Sequence, residues 1–177
     1  RVTGVTEQRR GFLAQLDENW VAYPETGGFD ILLSRKADGV QIGIEAKLSL
    51  NAKVVSQALP RYRFEAEAPD YRAVLVPDGT GSDLVPICSH LGITVLRARS
   101  RQAWQKKQEI EVTSFEPRLP RITEHDWEYG SWHEWVPTHR VTLPDYVPDV
   151  AAGKSAPVAL TPWKIKAIKL AIVLETR

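Results

Sequence analysis

Apolar positions along the chain recur first at helical and then at strand spacing. Thr6 caps a predicted helix over 5–18, in which Phe12, Leu13 and Leu16 share a face. Trp20 to Tyr23 reads as a short strand ended by Pro24. Phe29 to Arg35 and Val40 to Leu48 alternate with a period of two, and Asp38-Gly39 between them signals a hairpin turn. Asn51 opens a helix predicted to run to about residue 67, with Pro60 as a kink or break. Tyr71 to Val76 is a short apolar run suited to a buried strand. Ser82 to Leu91 reads as a helix ending at Gly92, and Ile93 to Leu96 as a further strand. Antiparallel strands followed by β-α-β crossovers predict an α/β fold: a mixed central sheet with helices on both faces.

The hairpin can be given a register. A two-residue turn at Asp38-Gly39 pairs Ala37 with Val40, which sets Asp30 opposite Lys47 and Leu32 opposite Glu45. Phe29, Ile31, Leu33, Ile42, Ile44, Ala46 and Leu48 then form a core face. Asp30, Glu45 and Lys47 fall together on the other, mainly polar face, with Gly43 beside Glu45 leaving room for a substrate backbone. Two carboxylates so placed can share a divalent cation, and hard oxygen ligands suit Mg²⁺ or Mn²⁺. The Ala46 carbonyl can add a ligand, and Lys47 can orient a nucleophile or stabilise developing phosphorane charge. The plain alternative is a solvated strand face with an incidental Glu-Lys pair.

Beyond residue 100 the texture changes. Residues 117–162 are rich in proline and hold three of the six tryptophans, without regular periodicity. They read as a long ordered wrap or a linker. Thr161-Pro162 starts a predicted C-terminal helix with Ile165, Ile168 and Ile172 in one stripe. The domain reading is therefore a core over 1–100, an irregular extension over 101–160, and a helix over 161–177 that could open a DNA-binding unit. The chain begins at Arg1 and contains no Met, which reads as an excised or processed fragment.

Composition narrows the classes. Net charge is +1, so a nucleic-acid-binding surface must be local. The densest basic run is Arg97, Arg99, Arg101, Lys106 and Lys107. Lys53, Arg61, Arg63 and Arg72 are candidates to flank the site and hold phosphates. No apolar stretch is long enough for a membrane span, and a single cysteine, Cys88, in an apolar run fits a core residue in a reducing cytoplasm. His125, Asp126, Glu128, His133, Glu134 and His139 cluster without a zinc-ligand spacing and read as loop polar groups. Trp127, Trp132 and Trp135 read as clamps of the long loop rather than base-stacking platforms.

Gly28-Phe29-Asp30, fourteen residues, then Glu45-Ala46-Lys47, in this order of elements, resembles the PD-(D/E)XK nuclease superfamily, with a restriction-endonuclease-like core over residues 5–97. The resemblance implies metal binding by Asp30 and Glu45 and a catalytic Lys47. It also implies an acidic residue from the first helix, for which Glu7 is the candidate and Glu18 the second choice. A glutamine on the helix after the third strand is matched by Gln57. The family's proline before the aspartate is Phe29 here, and Arg61 stands where some members carry a tyrosine. Glu25 is a further candidate ligand. The expected function is Mg²⁺-dependent phosphodiester hydrolysis, in DNA first and RNA second. The alternatives are a non-catalytic binding module on the same fold, or a hydrolase of another phosphate ester. A homodimer is compatible with this reading, because one active site cuts one strand at a time.

Overall fold

The computed structural model describes residues 4–60, 66–80, 83–105, 108–121, 131–145 and 147. Its elements are α1 (Val5–Leu13), β1 (Trp20–Thr26), β2 (Phe29–Arg35), β3 (Gln41–Ala46), α2 (Ala52–Ala58), β4 (Tyr71–Pro77), α3 (Leu84–His90), β5 (Ile93–Gln105) and β6 (Gln108–Glu116). The six strands form one mixed sheet in sequence order. β2 runs antiparallel to both β1 and β3; β3, β4 and β5 run parallel, and β6 returns antiparallel to β5. The predicted α/β class with helices on both faces is what forms.

Strand alternation divides the core. On one face Ile31, Leu33, Ile42, Ile44, Ala46, Ala73, Leu75 and Leu96 pack with Phe12 of α1. On the other, Val74, Val76 and Ile93 pack with Val54, Val55 and Ala58 of α2 and with Cys88 near the end of α3. Each fully buried Ile or Leu contributes about 1.5–3 kcal/mol by leaving water. Cys88 is thus the core residue expected, and burial pushes its thiol up.

Several boundaries differ from the sequence reading. α1 stops at Leu13, and its N-cap is Gly4 rather than Thr6, with no side-chain cap. β1 runs through Pro24 to Thr26, which an edge strand tolerates because one side of its backbone needs no partner. α2 ends at Ala58, before Pro60, and Asn51 caps it by accepting from the Val54 N–H at 3.1 Å. β5 and β6 fill 93–116 with regular structure where an irregular extension was expected from residue 101.

The hairpin register also moves. Ile31 pairs with Ile44 and Leu32 with Gly43, so the loop holds four residues, Lys36 to Gly39, rather than two. The Asp38 carboxylate takes the reason on itself: it accepts from Arg35 Nε and Nη2 and from the Val40 N–H, which closes the wider loop. A shift of two residues preserves the alternation of faces along both strands, where a shift of one would have inverted it.

The extension wraps the sheet end where β3 and β4 begin. Trp132 Nε1 donates to the Arg118 carbonyl at 2.8 Å and Trp135 Nε1 to the Gly92 carbonyl at 3.0 Å. These two tryptophans are clamps; His133, Glu134 and His139 are exposed. Trp127, His125, Asp126, Glu128 and the predicted 161–177 helix lie outside the described residues. Among the described residues no helix is long and apolar enough to cross a membrane.

Candidate active site

The site lies at the opposite end of the sheet, where β2 begins and β3 ends. Continuing the β1–β2 and β2–β3 registers by one step puts Glu25, Asp30 and Glu45 in a single row across three strands. The ladder is interrupted there. The Ala46 N–H donates not to the β2 backbone but to Asp30 Oδ2, at 2.8 Å. A carboxylate side chain thus stands in for a strand carbonyl, and the strands part around it. Glu25, at the edge of this row, has φ +49°, a left-handed conformation that costs a non-glycine residue energy and gathers at functional sites.

Lys47 lies just past β3, and its Nζ bridges the two central acids, 2.5 Å from Asp30 Oδ2 and 2.9 Å from Glu45 Oε2. Arg9 of α1 closes the cluster from the other side, with Nη2 2.5 Å from Asp30 Oδ1 and Nη1 2.8 Å from Glu25 Oε1. Three carboxylates against two cations leave one surplus negative charge.

The electrostatics differ between the two central acids. Burial pushes the Asp30 carboxyl up, but the Lys47 hydrogen bond, the Ala46 N–H and the charge of Arg9 outweigh it and hold it below the usual range. Burial pushes Glu45 up as well. Its hydrogen bond to Lys47 opposes this, the neighbouring Asp30 charge adds to it, and the net result is a raised carboxyl. Burial lowers the Lys47 ammonium, but its bonds to Asp30 and Glu45 win and raise it, so it stays charged. The two carboxyls are driven apart by their surroundings, as paired groups with different tasks are.

Asp30, Glu45 and Lys47 are therefore brought together as the hairpin pattern predicted, although Asp30 stands across from Glu45 rather than Lys47. Phe29 does not join the core face. Its ring lies over Gly43, where a Cβ would come within 2.6 Å, and packs with Leu32 and Val141. The space Gly43 was expected to leave for substrate is filled by that ring. Leu48, placed on the core face by alternation, is half exposed because it lies beyond the end of β3. Glu7 is exposed in the first turn of α1, and the α1 side chain that reaches Asp30 is Arg9. Glu18 is exposed in the turn before β1. Gln57, exposed on the last turn of α2, lines a cleft of about 240 Å³ with Gly28, Phe29, Glu67 and Arg72.

Arg72 is not a phosphate ligand. It is buried, donates Nη1 to the Ala58 carbonyl at 3.0 Å, and lies 5.4 Å from the ring centres of both Phe29 and Trp135. Lys53 is exposed on α2, while Arg61 and Arg63 lie outside the described residues. Arg9 was missed by the sequence reading, as was buried Gln8 beside it, whose amide nitrogen and oxygen find no hydrogen bond. The signal was a gap: the stripe Val5, Phe12, Leu16 skips a turn at 8–9, where polar residues occupy a buried face.

Among the described residues no three His, Cys, Asp or Glu side chains form a ready metal cage. The donor set that is present, two facing carboxylates with the Ala46 carbonyl between Glu45 and Lys47, consists of hard oxygens and suits a cation that keeps several waters. Glu45 supplies a physical reason for one, since a second positive charge would relieve a buried carboxylate held beside another. No known protein family, curated protein or solved structure matches the chain.

Proposed function

We propose that this chain is a metal-dependent nuclease of the PD-(D/E)XK type, with a restriction-endonuclease-like core, acting on phosphodiester bonds in DNA. The observation that carries the reading is the row of Asp30 and Glu45 on parted strands, bridged by Lys47 Nζ and left with surplus negative charge. Asp30, Glu45 and the Ala46 carbonyl would hold Mg²⁺ or Mn²⁺, which supplies an acidified water and neutralises phosphate charge when bound.

The chain's own residues set up the rest. Asp30 is kept ionised by Arg9, Lys47 and the Ala46 N–H, so it is ready as a ligand without a proton to lose. Glu45, raised by burial and by the neighbouring Asp30 charge, takes up a proton more readily than Asp30 as pH falls. Lys47, charged and anchored to both acids, points its ammonium where a nucleophilic water and a non-bridging phosphate oxygen would meet. Gln57, which shares its cleft with Gly28 and Phe29, and the exposed Lys53 would be positioning groups for the nucleic acid.

A cleavage assay on supercoiled, linear and single-stranded DNA and on RNA, with Mg²⁺ or Mn²⁺ and with Lys47→Ala beside the parent, tests this. Metal-dependent cutting by the parent, reduced about 100-fold or more in the variant, is expected. A folded parent that cuts nothing with any metal would refute it and leave a binding module on the same fold.

A further inference from the structure

β5 and β6 do not stop with the sheet. β4 leaves β5 at the pair Pro77–Ala98, yet β5 continues to Gln105 and β6 pairs with it from Gln108 onward. Among the described residues, the backbone of 99–105 and 108–114 is thus a two-stranded ribbon that no third strand pairs with. At about 3.3 Å per residue it reaches roughly 23 Å beyond the sheet. It leaves from the end where β3 delivers Glu45 and Ala46, because β3, β4 and β5 are parallel.

The register sorts its charges. Glu45 shares a row with Val74 and Val95, and the next row on that face, two residues on, reaches Val76 and Arg97. Positions 97, 99 and 101 therefore fall on the sheet face that carries Glu45. Along the ribbon, Arg99 is paired with Ser114 and Arg101 with Val112, while Glu109 and Glu111 take register positions on the other face, opposite Trp104 and Gln102. Arg99 is half exposed and meets Glu116 at 2.8 Å, a surface pair that a phosphate can displace at little cost. Lys106 and Lys107 lie outside the described residues.

We propose that this ribbon is a duplex-DNA arm: it lies in the major groove with the 99/101 face against the phosphates and holds the duplex across the Asp30–Glu45 end of the sheet. The inference rests on the nuclease reading for its substrate. A two-stranded ribbon, with strands about 4.8 Å apart, fits the B-form major groove, about 12 Å wide. The major groove of an A-form RNA duplex is too deep and narrow for it. With net charge near zero, such a local basic face is the place where phosphate attraction can act.

The test separates binding from chemistry. Anisotropy of a labelled DNA duplex is measured in EDTA across a salt series for the full chain, for Arg99→Gln/Arg101→Gln and for Glu109→Gln/Glu111→Gln. Hydrolysis of bis(p-nitrophenyl) phosphate, too small to touch the arm, is followed with Mn²⁺. The arginine variant should bind duplex about tenfold more weakly, with a salt slope shallower by about two, and hydrolyse the small diester like the parent. The glutamate variant should gain little, since its register positions lie on the face opposite to 99 and 101. Unchanged duplex affinity in the arginine variant overturns the proposal, as does equal and opposite response of the two variants, which would mean bulk charge alone. Stronger binding of RNA duplex or single strands than of DNA duplex overturns it too. Arm-dependent duplex binding without diester hydrolysis by the parent supports the arm and removes the nuclease reading instead.

Discussion

Two ends of the same sheet each hold a carboxylate against an arginine, and the chain uses them differently. At the end where β3 begins, buried Asp70 accepts from Arg140 Nε at 2.8 and 3.1 Å and from the Gln41 N–H at 2.7 Å. Gln41 in turn exchanges two hydrogen bonds with the Val141 backbone, at 2.8 and 2.9 Å. One acid meets one cation, and both the side chain and the backbone N–H of Gln41 are satisfied. This is a clasp that fastens the extension to the sheet. At the other end, among the described residues, Glu25, Asp30 and Glu45 share only Arg9 and Lys47. A buried Glu45 carboxyl is pushed up beside another acid, and buried Gln8 stays unpaired. Buried polar groups that only stabilise are matched one to one. An unmatched set held in place by strand ends and a helix is what a site with a missing partner looks like.

The sharpest way to break this contrast is a crossed pair of alanine variants. Asp30→Ala should cut metal-dependent cleavage by about a thousandfold, the upper range for losing one electrostatic group. It should cost less stability than Asp70→Ala, because relief of Glu45 offsets part of the loss of an acceptor for the Ala46 N–H. Asp70→Ala should do the reverse. It leaves the buried Gln41 N–H and Arg140 without their acceptor and should lower unfolding free energy by about 2–3 kcal/mol, read from urea denaturation, with metal binding intact. If Asp30→Ala proves as destabilising as Asp70→Ala and leaves metal binding unchanged, both ends are structural clasps.

How much of this was legible in the sequence depends on how local each signal was. The period-two alternation of Phe29–Leu48 placed Asp30, Glu45 and Lys47 on one face, because alternation survives a two-residue change of register. The register itself turned on Asp38, whose carboxylate binds Arg35 and Val40 and widens the loop, a side-chain choice that a turn dipeptide does not encode. Phe29 left its expected face because Gly43 lets a ring lie flat on the strand, and the residues that cover that ring, Val141 and Leu143, come from more than a hundred positions away. The clasp residues Asp70 and Arg140 were invisible for the same reason. Nothing local in the sequence singles out Arg9, and its partners, Glu25 and Asp30, come from two strands. The β5–β6 ribbon was read as irregular because its apolar residues, Ala103, Trp104, Ile110 and Val112, are too few and too scattered among charged and polar ones to mark a period.

Glu45 offers a finer comparison, through pH. Its folded carboxyl is raised, so in the metal-free chain its contribution to stability is fully present below the ordinary value of 4.5 and is lost as pH rises through the folded value. Asp30 has the opposite sign, with stability present above 3.8 and lost as pH falls through its depressed value. Metal binding requires ionised Glu45. Mn²⁺ affinity should therefore fall about tenfold per pH unit once below a midpoint that lies above 4.5, with one proton released per ion bound. Calorimetric titration in buffers of different ionisation enthalpy counts that proton. Glu45→Gln should abolish the release, and a proton count of zero in the parent, measured below the midpoint at which its Mn²⁺ affinity begins to fall, would remove Glu45 from the ligand set.

The smallest expected effect lies with Arg9, and it discriminates best because its sign differs at the two ends. Arg140→Ala at the clasp should cost about 1 kcal/mol of stability, since Arg140 is partly exposed and water replaces part of its role. Arg9→Ala removes a cation that competes for Asp30 Oδ1 and raises the surplus negative charge of the cluster. Mn²⁺ should then bind a few-fold more tightly, by about 1 kcal/mol or less, because the attraction acts near the surface at a high effective dielectric. Cleavage should not rise in step. Arg9 also fixes Glu25 and the direction of Asp30, so looser ligands would offset the gain in affinity. Weaker Mn²⁺ binding in Arg9→Ala would make the arginine a support for the site rather than a competitor. The ion would then have to sit on the Glu45 side of Asp30, where Lys47 is the only cation it must displace.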